Sequence, residues 1–440
     1  MTNGLLTDFY ELTMAAGFWQ AGKMDDVAIF ELFVRRNPPN RNFLIAAGLQ
    51  QAVDYLLNAR FDDEAIRYLR SLQQFASVGD GFFEMLRRWR FTGDLFAVRE
   101  GTPIFPGEPL LTLRAPLIEA QIPETFLLST VGFQTMVATK AARIVDAAGG
   151  RSVVEFGTRR AHSPEAGVLA GRAAYIGGCR GTSNTLTGFR YGIPVFGTAA
   201  HSWVLAFPTE MEAFERLYAL LGPGTVQLID TYGTLEGARN AVALGKPFWG
   251  VRLDSGDLME LSRAVRKILD ESGYKDAKIM ATGDLNEYKI LELVADGAPI
   301  DAFGVGTELA TSSDAPNHGA VYKLVEMRSG GERRYVAKFS EDKSTVPGAK
   351  QIFRYSRKDL LACSHESHPD ARAALLEPVI LHGELVQPLP SATEAQAHAR
   401  QALDKLPKKL RSLFECDVPW PVETSEELQH LTEQVRLTAR

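Results

Sequence analysis

Cysteine is scarce in this 440-residue chain, which has only Cys179, Cys363 and Cys416. These three lie far apart and form no Cys-x-x-Cys pair, so the sequence indicates neither a disulfide framework nor a cysteine zinc site. No apolar run approaches the roughly 18 residues of a membrane span, and the N-terminus has no basic segment followed by an apolar one. We therefore expect reduced thiols, no secretion and a cytoplasmic location.

An excess of positive charge is also lacking. The net charge is -6 and the isoelectric point is near 5.9. Such a balance argues against a binder of nucleic acid or of anionic membranes, because neither partner would meet a basic surface. The remaining composition, 45% hydrophobic and 23% charged residues, is typical of a globular protein, and the length suffices for two or three domains. If the protein binds a phosphate group, we expect a few local residues to bind it rather than a basic surface.

The first 125 residues predict an α+β domain. Apolar residues recur at helical spacing over 49–57 and 66–72, and short strands are expected over 95–98 and 109–113. A turn at Pro106-Gly107 separates the parts of this β-rich stretch. One long helix is predicted over 119–148, ending at Gly149-Gly150.

Beyond residue 150 short apolar runs alternate with amphipathic helical stretches. Thr209, Asp257 and Asp284 each precede an acidic residue by three positions, the spacing of a capping box at a helix start. Connections of roughly 20 to 40 residues have room for crossover helices, as parallel pairing requires. We predict an irregular parallel α/β barrel over 126–325, with strands at 152–156, 193–196, 226–229, 248–253, 278–281 and 302–305.

The alternation stops after about residue 325. Residues 334–340 and 350–355 predict a hairpin around Pro347-Gly348, and the tail from 392 is polar and helical with a break over 419–421. The predicted fold class is therefore α/β, an irregular barrel joined to an α+β domain. We expect the C-terminal segment, 326–440, to pack on the N-terminal domain, 1–125.

Polar residues follow each predicted barrel strand, at the end where βα barrels carry their chemistry. Singly these signals are weak, since a lone histidine is more often structural and a Gly-x-Gly is often only a tight turn. Asp254 stands out because it lies three residues before a helix cap and has no capping role of its own. Together the groups suit a polyanionic sugar phosphate; they are Glu155 to Arg160, His201, Asp230 to Tyr232, Arg252 to Gly256, Thr282 to Asp284, and Gly304 to Thr307.

Five separated motifs resemble those of the nicotinate phosphoribosyltransferase family, in the family's order. They are residues 7–14, 155–161, 197–202, 252–257 and 338–350, so the resemblance covers most of the chain before about residue 390. It implies a type II phosphoribosyltransferase fold and a homodimer with shared active sites. It also implies transfer of a phosphoribosyl group from phosphoribosyl pyrophosphate (PRPP) to nicotinate, coupled to ATP, with Mg²⁺ held by PRPP and ATP, in NAD biosynthesis.

The resemblance also implies roles for individual residues. His201 matches the histidine that ATP phosphorylates, and we expect Asp230 to orient its other ring nitrogen. Ser183 replaces the aspartate that accepts the amide of nicotinamide in the sibling family; an aspartate there would repel nicotinate by about 4 kcal/mol. The other expected groups are Tyr10, from the neighbouring subunit, and Phe156 against the pyridine ring, Arg159 and Arg252 on carboxylate or phosphates, Asp254 on ribose hydroxyls, and Gly283, Gly304, Gly306 and Thr307 on the 5′-phosphate.

Four other functions are weighed against this one. Nicotinamide phosphoribosyltransferase stays open, because a small Ser183 also suits a plain turn. Quinolinate phosphoribosyltransferase would need a denser basic pocket than Lys140, Arg159, Arg160 and Arg252 supply. A Schiff-base aldolase would need a strand-end lysine, which the predicted strands lack. A non-catalytic barrel that senses a phosphorylated ligand is the fourth.

Overall fold

A computed structural model describes residues 3–340, 343–415 and 418–438, so Cys416 lies outside the described residues. The other two cysteines, Cys179 and Cys363, are buried and free. Among the described residues, no helix is both long enough and apolar enough to cross a bilayer.

From residue 3 onward, the described N-terminal part contains six α-helices and five strands in the order α1, β1, β2, α2, α3, α4, β3, β4, β5, α5, α6. The helices are α1 Phe9–Gln20, α2 Leu49–Asn58, α3 Asp63–Ser71, α4 Asp80–Arg88, α5 Leu117–Gln121 and α6 Glu124–Ala147. The strands are β1 Val27–Val34, β2 Leu44–Ile45, β3 Asp94–Val98, β4 Pro103–Ile104 and β5 Pro109–Pro116.

The middle part alternates parallel strands and helices. The strands are β6 Ser152–Glu155, β7 Gly181–Thr182, β8 Val226–Leu228, β9 Gly250–Leu253, β10 Lys278–Ala281 and β11 Ala302–Val305. The helices are α7 Pro164–Ile176, α8 Thr185–Tyr191, α9 His201–Leu205, α10 Glu210–Leu221, α11 Thr234–Ala243, α12 Leu258–Glu271, α13 Glu287–Ala295 and α14 Thr307–Ala310.

These six strands form one parallel sheet in the order β7-β6-β11-β10-β9-β8. The first strand along the chain, β6, therefore pairs with the last, β11, and the chain winds around between them. Within the described ranges no ladder joins β7 to β8, the two outer strands of this order. Because all six strands run parallel, their carboxyl ends lie along one edge.

The C-terminal part returns to the N-terminal elements. Its strands are β12 Ala320–Ser329, β13 Glu332–Tyr335, β14 Lys350–Arg354, β15 Asp359–Cys363, β16 Ala373–Ala374, β17 Leu376–Leu381, β18 Glu384–Leu385 and β19 Val422–Thr424, and its helices are α15 Ala392–Asp404 and α16 Glu426–Thr438. A seven-stranded antiparallel sheet has the order β13-β12-β1-β5-β3-β17-β18, and a four-stranded sheet has the order β16-β14-β15-β19.

Two apolar cores contact successive halves of helix α6. Its Leu127 and Val131 pack with α1 to α5 against the seven-stranded sheet, whereas Val137 and Ala141 pack against the parallel sheet and its helices. Buried ion pairs also join distant segments, as Lys350 Nζ on β14 lies 2.7 Å from Glu31 Oε2 on β1. Helix α6 thus fixes the two large sheets relative to each other.

The predicted helix over 119–148 is wrong at its start, because α5 ends at Gln121 and α6 begins at Glu124. Pro123 between them has no N–H to continue the helical hydrogen bonds. The predicted hairpin of 334–340 with 350–355 is also wrong. β13 pairs with β12 through a two-residue turn in which Gly330 and Gly331 have φ of 58° and 88°, and β14 pairs with β15 in another sheet.

The strand predicted over 193–196 is reduced to an isolated bridge between Val195 and Thr182. Pro194 lacks a donor, so the ladder stops there. Thr209 and Asp257 cap α10 and α12 as predicted. Asp284 does not cap α13, since it has a left-handed φ of 46° and Asn286 Oδ1 accepts from the N–H groups of the first turn instead.

Candidate active site

The carboxyl ends of β8, β9 and β10 bring three polar segments together. Because these strands are neighbours in the parallel sheet, Asp230, Asp254 and Thr282 lie side by side although about 25 residues of sequence separate each from the next. Asp230 Oδ2 accepts from Asp254 N at 2.9 Å and from Ser255 Oγ at 2.6 Å. The loop after β9 is thereby fixed to the end of β8.

Arg252 organises this edge through four hydrogen bonds. Its Nε donates to Thr282 Oγ1 at 2.9 Å, and its Nη1 donates to Thr198 Oγ1 at 2.9 Å and to Ala199 O at 3.2 Å. Its Nη2 donates to Asp254 Oδ1 at 2.8 Å. The side chain is 11% exposed, so the guanidinium is a largely buried cation whose donors are already directed to fixed acceptors.

Asp254 is held ionised at the centre of the site. Burial alone would raise its pKa, but hydrogen bonds from Thr282 and Arg252 and the nearby positive charge outweigh burial and lower the pKa from its usual value. The Thr282 hydroxyl donates to the same oxygen, Oδ1, that accepts from Arg252. The second oxygen, Oδ2, faces His201 Nε2 at 3.6 Å.

His201 is the first residue of the short helix α9, and its side chain is 41% exposed. Its Nδ1 lies 3.2 Å from Thr231 Oγ1. The expectation that Asp230 orients the imidazole is therefore wrong: the hydroxyl of the next residue, Thr231, occupies that position, and the Asp230 carboxylate is turned toward the loop after β9. Adjacent strand ends indicated the right neighbourhood but not which side chain reaches the ring.

A second group of residues forms where β6 meets β11. Glu155 is buried, which raises its pKa, although hydrogen bonds from the Thr182 hydroxyl and the Gly157 N–H oppose the shift. The Phe156 ring lies against the backbone of Gly304, where a Cβ would come within 2.6 Å of Phe156 Cδ2 and of Thr282 Cγ2. Gly304 is therefore required by the position of this ring.

The predicted phosphate-binding glycines lie next to the two groups. Gly283 has a φ of +95°, and a Cβ there would collide with the carbonyl oxygen of Asp254. Gly306 precedes Thr307, which begins the four-residue helix α14 and is exposed. Backbone therefore approaches closely at Gly283, and both loops follow strands whose carboxyl ends lie on the same edge as Asp254, where their N–H groups can bind an anion.

Three expected residues stand further from this constellation. Arg159 is exposed on a short 3₁₀ helix after β6 and makes no hydrogen bond or ion pair with the part of the chain that the structure describes. Ser183 follows β7, and its N–H donates to Glu155 O at 2.8 Å. Tyr10 is on α1, where Glu11 and Glu124 are its polar neighbours, so the same chain does not bring it to the strand ends.

Sequence reasoning missed a buried charge network under the loops after β10 and β11. Lys140, expected as a basic pocket residue, lies 2.6 Å from Glu287 Oε2 and 2.9 Å from Asp314 Oδ1, and it is 1% exposed. Arg41 pairs with the same Asp314 at 2.9 Å, and Arg143 pairs with Glu287 at 3.0 Å. Removing one member of such a network leaves an unpaired buried charge, so the network fixes both loops.

The hydroxyl groups of Thr198, Thr231 and Thr282 had no predicted role, although Thr231 and Thr282 lie in the predicted strand-end segments. Threonine is common on strands and loops, and only the folded geometry shows that these three contact Arg252, His201 and Asp254.

The acidic groups of this edge supply only a few of the ligands that Mg²⁺ needs. Within the described ranges no group of three or more His, Cys, Asp or Glu side chains is arranged to hold a metal by itself. Asp230 Oδ1 is buried without a hydrogen-bond partner there, and Asp254 Oδ2 has only His201 nearby. One or two carboxylates of this kind fit Mg²⁺ that arrives with phosphate oxygens as its other ligands.

Comparison with known proteins assigns the family. Three family models match, described as the nicotinate phosphoribosyltransferase (NAPRTase) N-terminal domain over residues 5–132, the NAPRTase family over 151–345 and the nicotinate phosphoribosyltransferase C-terminal domain over 365–432. The nicotinate phosphoribosyltransferase pncB2 of Mycobacterium tuberculosis is 45% identical over 436 residues, covering 96% of this chain and 92% of that protein.

Two solved structures share the fold. The crystal structure of human nicotinic acid phosphoribosyltransferase is 30% identical with a TM-score of 0.83, covering 98% of this chain and 99% of that one. A nicotinate-nucleotide pyrophosphorylase from Pyrococcus furiosus is 25% identical with a TM-score of 0.75, covering 91% and 95%. The chain belongs to the nicotinate phosphoribosyltransferase family.

Proposed function

We propose that this chain transfers the phosphoribosyl group of PRPP to nicotinate, forming nicotinate mononucleotide and pyrophosphate for NAD biosynthesis. The observation that carries the proposal is the Arg252–Asp254–Thr282 cluster at the strand ends, in a chain whose family is shown. It offers a fixed cation, an ionised carboxylate and a hydroxyl within one hydrogen-bonded unit. These are the groups that a ribose with phosphates on both sides needs.

The reaction asks for positioning rather than for a general base. The pyridine nitrogen already carries a lone pair; it forms the bond to the ribose C1′ while the bond from C1′ to the pyrophosphate oxygen breaks. Positive charge develops on the ribose ring in between. Asp254, kept ionised by Arg252 and Thr282, would hold the ribose hydroxyls and stabilise that charge. Phe156 and Tyr10, the latter from a partner subunit, would hold the pyridine ring.

The leaving group is handled by cations and backbone donors. Arg252 and Arg159 would face the substrate carboxylate or phosphates, and Gly283 with Gly304, Gly306 and Thr307 would bind the 5′-phosphate. Asp230 or Asp254 would contribute a carboxylate oxygen to Mg²⁺ that arrives with PRPP, and the ion would supply neutralisation of the pyrophosphate charge. The homodimer and the requirement for Tyr10 of a partner belong to this proposal.

ATP coupling would operate through His201. With Nδ1–H donating to Thr231 Oγ1, Nε2 keeps its lone pair and can attack the γ-phosphorus of ATP, while the bond to the ADP oxygen breaks. A phosphoryl group on Nε2 would place new negative charge beside Asp254 Oδ2. That charge would change the affinity of the site for substrates and for pyrophosphate, which links ATP cleavage to product formation.

The architecture proposed around this site is an irregular parallel α/β barrel. The pairing of β6 with β11 supports it, since these two are the first and the last strand of the parallel sheet along the chain. We place this part at residues 126–325, between an N-terminal domain of 1–125 and a C-terminal segment of 326–440.

Nicotinate is preferred over nicotinamide because Ser183 supplies no negative charge. Ser183 lies beside Thr182, whose hydroxyl donates to the buried Glu155, so that carboxylate is already engaged with the protein. An uncharged pocket wall tolerates a substrate carboxylate, whereas an aspartate would repel it.

A product assay tests the function. Purified protein is incubated with PRPP and Mg²⁺ and with nicotinate, nicotinamide or quinolinate, each with and without ATP, and nucleotide products are separated by chromatography. We expect nicotinate mononucleotide as the main product and ATP stimulation of its formation. Turnover of quinolinate or nicotinamide in preference to nicotinate would reject the substrate assignment, and PRPP binding without any turnover would reject the enzyme assignment.

A further inference from the structure

A cavity of about 460 Å³ lies between the seven-stranded sheet and the four-stranded C-terminal sheet. Its volume is within the range of about 300–1,000 Å³ that is typical of small-molecule sites. None of its lining residues belongs to the strand-end site, which is built on the parallel sheet.

One face of the seven-stranded sheet forms the floor. Side chains alternate between the two faces of a strand, so β5 presents Thr112 and Arg114 on this face while Leu111 and Leu113 enter the apolar core on the other. In register, Arg114 of β5 lies opposite Ile29 of β1, and Ile29 lies opposite Glu326 of β12. A row of charged and apolar groups therefore crosses three adjacent strands.

Apolar side chains provide the remaining walls. Phe96 of β3 and Leu376 and Pro378 of β17 line the cavity from one side of the sheet, and Leu431 of α16 lines it from the C-terminal part. Phe96 is only partly buried. Such surfaces suit the flat or apolar body of a ligand rather than a bare inorganic ion.

Positive charge predominates among the polar groups. Arg328 Nε and Arg333 Nε lie 2.8 Å and 3.3 Å from the same atom, Glu326 Oε1, so two guanidinium groups share one carboxylate. The Arg114 side chain is exposed and makes no hydrogen bond or ion pair with residues 3–340, 343–415 or 418–438. Three guanidinium groups therefore accompany one carboxylate at the cavity, and the excess positive charge suits an anion that contacts Arg114, Arg328 and Arg333.

The other cations at the cavity are already engaged. Lys350 Nζ pairs with Glu31 Oε2 at 2.7 Å and donates to Val346 O and Gly348 O. His365 Nε2 lies 2.7 Å from Glu427 Oε1. Arg333 Nη1 donates to Tyr335 OH at 2.9 Å, which orients the guanidinium between two residues that line the cavity, Glu326 and Tyr335.

Burial of Thr112 gives a further indication of a ligand. This residue is 4% exposed, lines the cavity, and its hydroxyl oxygen has no hydrogen-bond partner among the described residues. A buried hydroxyl normally finds a partner, because leaving it unpaired costs free energy.

We propose that this cavity is a second binding site, for a nucleotide of mononucleotide size. The phosphate contacts Arg114 and Arg333, since guanidinium groups match phosphate oxygens in pairs. The base or other flat part of the ligand lies against Phe96 and the apolar wall. This site rests on the geometry of its own cavity and does not depend on the function proposed for the strand ends.

Calorimetric titration with adenosine monophosphate tests the proposal. The titration is carried out in an Arg252→Ala background, which weakens the strand-end site. We expect binding in this background, and a loss of affinity of about tenfold or more when Arg114→Ala and Arg333→Ala are combined with it. Arg328 is kept, because it pairs with the buried Glu326. Arg216→Ala, on the exposed face of α10, is the matched control and should leave the affinity unchanged.

Several results would overturn the site. Absence of binding in the Arg252→Ala background would place nucleotide binding at the strand ends only, and equal affinity with and without Arg114→Ala/Arg333→Ala would exclude this cavity. Thermal unfolding of the combined variant checks that it is folded; both arginines are exposed, so we expect an unchanged transition. Inorganic phosphate and adenosine should each bind at least about tenfold more weakly than the nucleotide. Equal binding of inorganic phosphate would reject a nucleotide as the ligand.

Discussion

His201 Nε2 lies 3.6 Å from Asp254 Oδ2, while the other oxygen of the same carboxylate accepts a hydrogen bond from Arg252. One carboxylate therefore connects the imidazole with the buried guanidinium. A change of charge at His201 acts electrostatically on Asp254, the residue proposed to hold the ribose. This contact would provide a direct physical route between the proposed phosphorylation of His201 by ATP and phosphoribosyl transfer.

Arg252→Lys is expected to lower kcat/KM for PRPP by about 100-fold, since a lysine ammonium cannot reproduce four directed hydrogen bonds. Thr282, Thr198 and Asp254 would lose their common donor. Steady-state kinetics with varied PRPP measures the effect. Arg239→Lys, at an exposed position of α11, serves as the control and should behave as the unsubstituted enzyme does. Equal kcat/KM values in both variants would show that Arg252 has no role in the use of PRPP.

The pH dependence of Arg252→Lys provides a second readout. Arg252 and Thr282 keep the pKa of Asp254 below its usual value, so Asp254 stays ionised at moderately acidic pH. Without the guanidinium the pKa rises, and protonation of Asp254 sets in at a higher pH. We therefore expect the acidic limb of the kcat/KM profile to move to higher pH. An unmoved limb would mean that Asp254 is not the group whose ionisation matters.

Thr231→Val is expected to reduce the stimulation of turnover by ATP about tenfold, because it removes the hydroxyl at His201 Nδ1. Asp230→Asn is the matched comparison, since Asp230 does not contact the imidazole and is bonded to Asp254 N and Ser255. We expect this variant to keep the ratio of turnover with and without ATP. The reverse pattern, with the ratio lost only in Asp230→Asn, would restore the orienting role to Asp230.

Ser183→Asp is expected to lower kcat/KM for nicotinate by about a thousandfold, since two like charges about 4 Å apart repel by about 4 kcal/mol at an effective dielectric near 20. Competition kinetics with nicotinamide shows whether the preference changes. Ser183→Ala removes the hydroxyl without adding charge and should retain nicotinate as substrate. Full nicotinate activity in Ser183→Asp would contradict the charge argument.

Glu124→Gln tests a titrating group beside Tyr10. Burial, together with the neighbouring Glu11, raises the pKa of Glu124 to about 7. Because the folded-state pKa lies above the unfolded value, this carboxyl favours folding below about pH 4.5 and loses that contribution as the pH rises through 7. We expect Glu124→Gln to raise the free energy of unfolding by about 1–2 kcal/mol at pH 8 and by much less at pH 5.

Urea denaturation at the two pH values measures the difference between Glu124→Gln and the unsubstituted protein. Glu236→Gln, at an exposed position of α11, controls for the loss of one surface charge. A gain that is the same at pH 5 and pH 8 would show that ionisation of Glu124 is not its cause.

Much of the parallel sheet could be predicted from sequence. Buried strands such as Ala302–Val305 are short apolar runs, and caps such as Asp257 have a local signal that the folded chain retains. The polar residues after those strands could be grouped because parallel strands end on one edge. The strand over 193–196 failed because Pro194 interrupts pairing, and two-residue β7 is too short to give any periodic signal.

Pairing across long sequence distances could not be predicted. The partner of β13 is β12, because the Gly330-Gly331 turn joins these two strands. In contrast, β17 pairs with β3, in which Val98 lies opposite Leu376. The same limit applied to the site. Adjacent strand ends indicated that His201 and Asp230 are near each other. The side-chain rotamers and the loop geometry determine the actual contacts, in which the Thr231 hydroxyl lies at the imidazole and the Asp230 carboxylate accepts from the loop after β9.

The most direct test of the central claim is the ratio of nicotinate mononucleotide formation with and without ATP, measured in the unsubstituted enzyme and in His201→Ala under saturating PRPP and Mg²⁺. If the His201 imidazole accepts the phosphoryl group of ATP, the ratio is well above one in the unsubstituted enzyme and falls to about one in the variant. An equal stimulation by ATP in both proteins would contradict the account.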